Sequence, residues 1–152
     1  QSCHLVVPSE DQIVVIARIE SPGDLGYSVR IGYRRNIVDA TSGLAFYGWA
    51  EPQTRAHLHA VLVAGSGARK VAQFAAMATE ATRNDYIERA SDFVKGVTDL
   101  VAPIRGANGI IATLITPFIE HAPAVCSKDE AARLLRQAAD TISEQMGAVT
   151  KA

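Results

Sequence analysis

Apolar and polar positions first alternate along this chain. Leu5 to Val7 and Ile13 to Glu20 are short β-rich runs, and the polar turn Pro8-Ser9-Glu10-Asp11 between them predicts an opening hairpin. Past a second turn, Ser21-Pro22-Gly23-Asp24, the residues Tyr27, Val29 and Ile31 alternate with Ser28 and Arg30. That pattern predicts a third strand, over Tyr27 to Ile31, with one face covered and one wet, completing a meander.

The period then lengthens. Thr41-Ser42-Gly43 marks a helix entrance ahead of the apolar run Leu44 to Trp49, and Pro52 opens a second helical stretch carrying Leu58, Val61 and Leu62. Gly65-Ser66-Gly67 breaks the chain before an Ala-rich helix over Ala68 to Thr82, and Tyr86 to Ser91 is weakly patterned. Val97 to Ile104 and Ile110 to Ile119 read as strands around Asn108-Gly109, a strong hairpin signal. Ser127 and Glu130 form a capping box for a last helix, which places Ala131, Leu134, Leu135, Ala138 and Ile142 on one face and stops at Gly147. Strands, inserted helices, strands and a closing helix describe an α+β domain, a mostly antiparallel sheet flanked by helices.

At 152 residues the chain is expected to be a single domain, 1–152, able to bury a core without disulfides or metals. No apolar run reads as a membrane span or a signal peptide. A net charge of -1 argues against a domain that grips phosphate backbones. Cys3 and Cys126 match no metal or redox spacing, so reduced thiols in a cytoplasmic protein are expected, a disulfide between them being the minor alternative.

The closing hairpin is the first candidate for chemistry. With a loop of two or four residues, Asp99, Val101, Leu114, Thr116 and Phe118 share one face, and Leu100, Ala102, Ile104, Ile111, Thr113 and Ile115 form plain core on the other. A three- or five-residue loop reverses the parity of one strand. Asp99 among apolar neighbours marks a wet cavity or an interface, unless it is an exposed strand carboxylate. The entrance at Thr41, Ser42 and Gly43 offers free N–H groups and the positive end of a helix dipole to a carboxylate, the alternative being an ordinary N-cap. Phe46, Tyr47 and Trp49 form either an apolar wall there or core.

Weaker candidates remain. Arg30, Arg34 and Arg35 beside Tyr33 would suit an acidic surface or a ligand carboxylate, or form a solvated strand end. Gly65 to Lys70 follows a helix rather than a strand and lacks phosphate-loop spacing. His57 and His59 face different ways on a helix, and His4 and His121 are scattered, so no metal and no cofactor are expected. A serine hydrolase would need Ser42, a His and an Asp to converge, and the Gly-x-Ser-x-Gly elbow is absent. No enzymatic activity is expected.

The block from Ile31 to Gly43, the block from Lys95 to Ile104, Val14 to Gly23, Asp85-Tyr86 and the closing Ile142 to Gly147, taken in this order and spacing, resemble the effector-binding domain of the isocitrate-lyase-regulator (IclR) family of transcription regulators. Asn36 stands where that family often has Pro, and Asp85 where it usually has Gly. The resemblance implies a GAF-like or profilin-like domain that senses a small organic acid, self-associates as a dimer or tetramer, and reaches DNA only through a winged helix-turn-helix domain lying N-terminal to Gln1.

It also implies site positions. Thr41, Ser42, Gly43 and Leu44 lie beside the effector at the loop and helix start, with Tyr86 from the Asp85-Tyr86 motif. A polar contact three residues after Gly96 falls on Asp99, followed by Val101 on the same strand. Paired hydroxyls of the last strand fall on Thr116 and Phe118, and an acidic ligand falls on Arg89, a reversal of charge. Phe118 and Arg89 turn the expectation from glyoxylate toward an aromatic or medium-length acid. The alternative reading is a stand-alone enzyme of small-molecule metabolism or a GAF-like signalling module.

Overall fold

The computed structural model describes residues 1–23, 26–120 and 126–148; Asp24 of the second predicted turn and His121 lie outside the described residues. The opening alternation becomes β1 (Cys3–Ser9) and β2 (Gln12–Ile19), an antiparallel hairpin turning at Glu10 and Asp11. The third strand is not Tyr27 to Ile31. It is β3 (Arg34–Asn36), which pairs with β2. The segment before it runs over the sheet as a strap: the Gly32 N–H donates to the Val15 carbonyl, and the Tyr33 N–H turns back to that of Arg30. Tyr27 and Val29 line the space under that strap, whereas Ile31, expected on the same covered face, is 60% exposed.

The helical pattern gives α1 (Thr41–Gly48), α2 (Pro52–Ser66) and α3 (Ala68–Ala81). Pro52 sits in the first turn of α2, where a missing N–H is no loss. Strand β4 (Ile87–Ala90) fills the weakly patterned region, and β5 (Val97–Gly106) and β6 (Gly109–Ile119) form the long hairpin. The sheet order is β3-β2-β1-β6-β5-β4, all neighbours antiparallel. The closing helix α4 (Lys128–Gln145) starts where the Ser127 hydroxyl accepts the Glu130 N–H at 3.2 Å. The architecture is the expected α+β one, with helices on both faces of the sheet.

One face packs against α1, backed by α2 and α3, in a core that includes Val6, Val15, Leu44, Phe74 and Val101. The other carries Leu100, Ala102, Ile104, Leu114 and Phe118 against Ala131, Ala132, Leu135 and Ala139 of α4. Leu134 and Ala138, expected on the buried stripe of α4, are exposed, because the helix presents Ala132, Ala139 and Ser143 to the sheet instead.

The face assignment from the hairpin is corrected by a bulge. Gly106 opposes Gly109 across Ala107-Asn108, the two-residue loop, and of these loop and flanking residues only Gly109 takes positive φ, at 104°. Between Ile104 and Arg105 the register shifts, so Ile104 opposes Ala112 and Ile111 is the extra residue. One inserted residue reverses which side chains share a face. Asp99 therefore lies opposite Pro117, while Thr116 lies opposite Leu100 and Phe118 opposite Thr98, on the α4 side. Thr113 and Ile115, expected in the plain core with Leu100, lie on the α1 side.

Helix α1 is held against the chain that precedes it. A side chain on Gly43 would place its Cβ 1.9 Å from the Ile37 carbonyl oxygen, in the 3-10 turn Ile37–Asp39. No backbone atom can yield that much without moving the helix. Gly43→Ala should lower stability by about 3 kcal/mol or more, at or beyond the upper end of ordinary overpacking costs. A urea midpoint indistinguishable from wild type would show that α1 can shift freely.

Candidate functional site

Asp99 is a carboxylate near the start of β5 that faces the entrance of α1 and is only 8% exposed. The Thr41 hydroxyl donates to its Oδ2 at 2.6 Å. Thr41 is free to do so because the N-cap of α1 is Ala40, which has no capping side chain. The entrance is thus not an ordinary side-chain N-cap; its first hydroxyl crosses to β5. Burial pushes the Asp99 carboxyl above its usual range, opposed by hydrogen bonds from Thr41 and Ser91; the Asp92 charge adds to the rise and Arg35 works against it.

Beside this carboxylate lies a cavity of about 80 Å³ between the sheet and the start of α1. Its floor is apolar, with Ile13, Val15 and Ile115; Tyr27 and Val29 of the strap cover it, and Tyr33, Arg35 and Phe93 also line it. The Phe93 ring lies 6.0 Å from that of Tyr33 and 5.1 Å from the Arg35 guanidinium carbon. Buried His4 ties the strap down, its Nε2 accepting the Val29 N–H at 2.8 Å. An accepting Nε2 means a neutral ring. Burial holds the imidazole below its usual range; a hydrogen bond to the Ile115 backbone opposes this, and Arg18 adds to it.

Of the positions singled out in the sequence, Tyr33, Arg35, Thr41, Ser42 and Asp99 line this cavity together. Gly43 and Leu44 are buried behind the entrance, Gly43 against Ile37 and Leu44 in the core. Val101 shares the Asp99 face but lies in the core. Thr116 and Phe118 are on the far side of the sheet, for the bulge reason given above. Tyr86 packs toward α4, with the Arg136 guanidinium 5.5 Å from its ring and its hydroxyl on Glu88. Arg89 opposes Asp99 in the β4–β5 register, yet its guanidinium pairs with Asp92 at 2.8 Å. Phe46 and Tyr47 are core, and Trp49 stacks under Arg105.

His4, Tyr27, Val29, Ser91 and Phe93 also line the cavity without having been read as site residues. His4 carried a signal: it shares a strand face with Val6, and a histidine there must be neutral or paired. Ser91 and Phe93 carried none, since they reach the cavity from a loop. Ser42, His4 and Asp99 do line one cavity, but they form no relay: His4 Nε2 is occupied by the Val29 N–H and Asp99 is bonded to Thr41. Cys3 and Cys126 are free thiols. Among the described residues no helix is long and apolar enough to cross a membrane.

No family model matches the chain, and no curated protein matches it in sequence. Solved structures do match its fold. An IclR transcriptional regulator from Alicyclobacillus acidocaldarius superposes with a TM-score of 0.73 at 17% identity, over 96% of this chain and 61% of that one. This is a fold shared with IclR-type regulators. The C-terminal domain of the Escherichia coli transcriptional regulator KdgR gives a TM-score of 0.71 at 22% identity, over 96% of this chain and 87% of that domain. An IclR homologue from Microbacterium hydrocarbonoxydans, complexed with 4-hydroxybenzoate, gives 0.68 at 18% identity, over 96% of this chain and 60% of that one. The chain thus spans less than two thirds of the longer regulators it matches.

The raised Asp99 carboxyl has a consequence for stability. Between its folded value and 3.8 the folded state holds more protons than the unfolded state, so this residue's contribution falls as pH rises through that window. Asp99→Asn removes the titration while keeping an acceptor for Thr41. Relative to Asp99→Asn, the wild type should gain stability on going from about pH 7 to about pH 4, as linkage requires. Urea midpoints that run parallel for the two proteins over that range would show that Asp99 is not perturbed by burial.

Proposed function

We propose that this chain is the ligand-sensing domain of an IclR-family transcription regulator, and that the cavity beside Asp99 receives a small organic acid. The observation that carries the reading is a buried carboxylate, bonded to a helix entrance, facing a mostly apolar space. A buried charge is costly unless donors meet it, and Thr41 supplies one where a ligand hydroxyl would supply another. The shared fold supports the regulatory role. The 4-hydroxybenzoate complex of the Microbacterium homologue supports a small-molecule acid as the effector class.

Size favours a compact acid over an aromatic one. A cavity of roughly 150 Å³ is what accommodates benzene; the 80 Å³ here is about half that and encloses roughly three or four heavy atoms of a ligand. Phe118, which had pointed to an aromatic effector, faces α4. A short hydroxy acid, its hydroxyl donating to Asp99 and its charged end at the opening, matches both the volume and the polarity.

Regulation on this reading requires a DNA-binding domain, for which the winged helix-turn-helix N-terminal to Gln1 is the proposal, and self-association as a dimer or tetramer. The ligand acts by favouring one arrangement of the assembly, since equal affinity for both would shift nothing. The domain itself is proposed to bind no operator. The test is a melting-temperature screen of short hydroxy acids, followed by calorimetry. Asp99→Ala should weaken the best acid by about 1 to 3 kcal/mol, the cost of losing a charged hydrogen bond, with circular dichroism unchanged. Equal affinity in the folded variant would remove the cavity from the sensing role.

A further inference from the structure

We infer that Arg35 is the carboxylate anchor of the cavity, so that an effector acid binds with its charged end at the Arg35 side and its hydroxyl turned inward to Asp99. This rests on the ligand-sensing reading and adds a polarity to it. The entrance of α1 would ordinarily attract the carboxylate, yet an anion already faces it: Asp99 Oδ2 lies 2.6 Å from the Thr41 hydroxyl. A second carboxylate there would meet a like charge in a buried place, where repulsion is least screened.

Arg35 is the one cationic side chain lining the cavity among the described residues, since His4 is held neutral by the Val29 N–H. It joins no salt bridge among them either, whereas Arg18, Arg83, Arg89, Arg133 and Arg136 all do. Its place is fixed twice. The β2–β3 register sets Arg35 opposite Ile13, itself a lining residue, and the guanidinium lies over the Phe93 ring. Stacking of that kind leaves the planar fork of N–H donors free for a carboxylate. The adjacent Arg34 is directed instead at the Ser9 hydroxyl and the Gln12 side chain. A ligand in this orientation fills the apolar floor with its short carbon chain.

The experiment is calorimetry with glycolate, lactate and 3-hydroxybutyrate, each beside its uncharged amide, on wild type, Arg35→Gln and Arg34→Gln, with melting curves to confirm that each variant folds. The expected result is that Arg35→Gln weakens the acids about tenfold or more and leaves the amides unchanged, a charged hydrogen-bonded pair being lost. Arg34→Gln should bind the acids like wild type. If Arg35→Gln binds an acid as tightly as wild type while Asp99→Ala does not, the anchor assignment is wrong and the sensing role of the cavity stands. If the two arginine variants weaken the acids equally, the effect is general positive charge and the assignment is again wrong. If none of the acids binds wild type, the sensing reading fails together with the anchor.

Discussion

The hydrogen bond from Thr41 to Asp99 joins two parts of the fold that sequence places 58 residues apart: the first turn of α1 and the start of β5. Strand β5 is flanked by β4 and β6 and cannot shift without breaking both ladders. Helix α1 is pinned from the other side by Gly43 against the Ile37 carbonyl. The carboxylate is therefore held under a helix entrance whose position is fixed at both ends. A buried carboxylate is an expensive feature of a core, and an apolar residue of similar size would stabilise the same position. Its presence gives a mostly apolar cavity a strong acceptor.

The rest of the cavity follows from how the strap is tied. Backbone bonds from Gly32 and to Tyr33 fasten it to Val15 of β2, and the His4 ring fastens it at Val29. These ties bring Tyr27 and Val29 over the apolar floor and keep the enclosed space small. Because His4 accepts from a backbone N–H, its neutrality is a condition of the closed strap as well as a consequence of burial. The strap is tied through His4 and the helix entrance through Asp99, and both side chains line the same small cavity.

Much of the fold was legible in the residues. Hairpin turns, Pro52 at a helix start and Ser127 as a cap are local devices, and each produced the element its chemistry predicts. The failures came from longer-range effects. The alternation over Tyr27 to Ile31 marks no ladder: Tyr27 and Val29 line a cavity, and Ile31 is exposed. The bulge at Ile104 and Arg105 left no mark in composition, and it alone moved Thr116 and Phe118 to the far face. For the candidate site, Asp99, Thr41 and Ser42 were found because a lone carboxylate between Val97 and Val101 and a small polar helix entrance are each unusual. Ser91 and Phe93 were not found, since a loop residue's approach to a cavity is set by the whole sheet.

The central claim, that the sensing site is the cavity between Asp99 and the α1 entrance, is tested most directly by amide-resolved NMR during titration with the short hydroxy acid that most raises the melting temperature. Chemical-shift changes should concentrate at Val29, Arg35, Thr41, Ser42, Ser91 and Asp99, with the α4 face of the sheet left quiet. Changes centred instead on Tyr86, Thr116, Phe118 and α4 would contradict the account and place the ligand on the opposite side of the sheet.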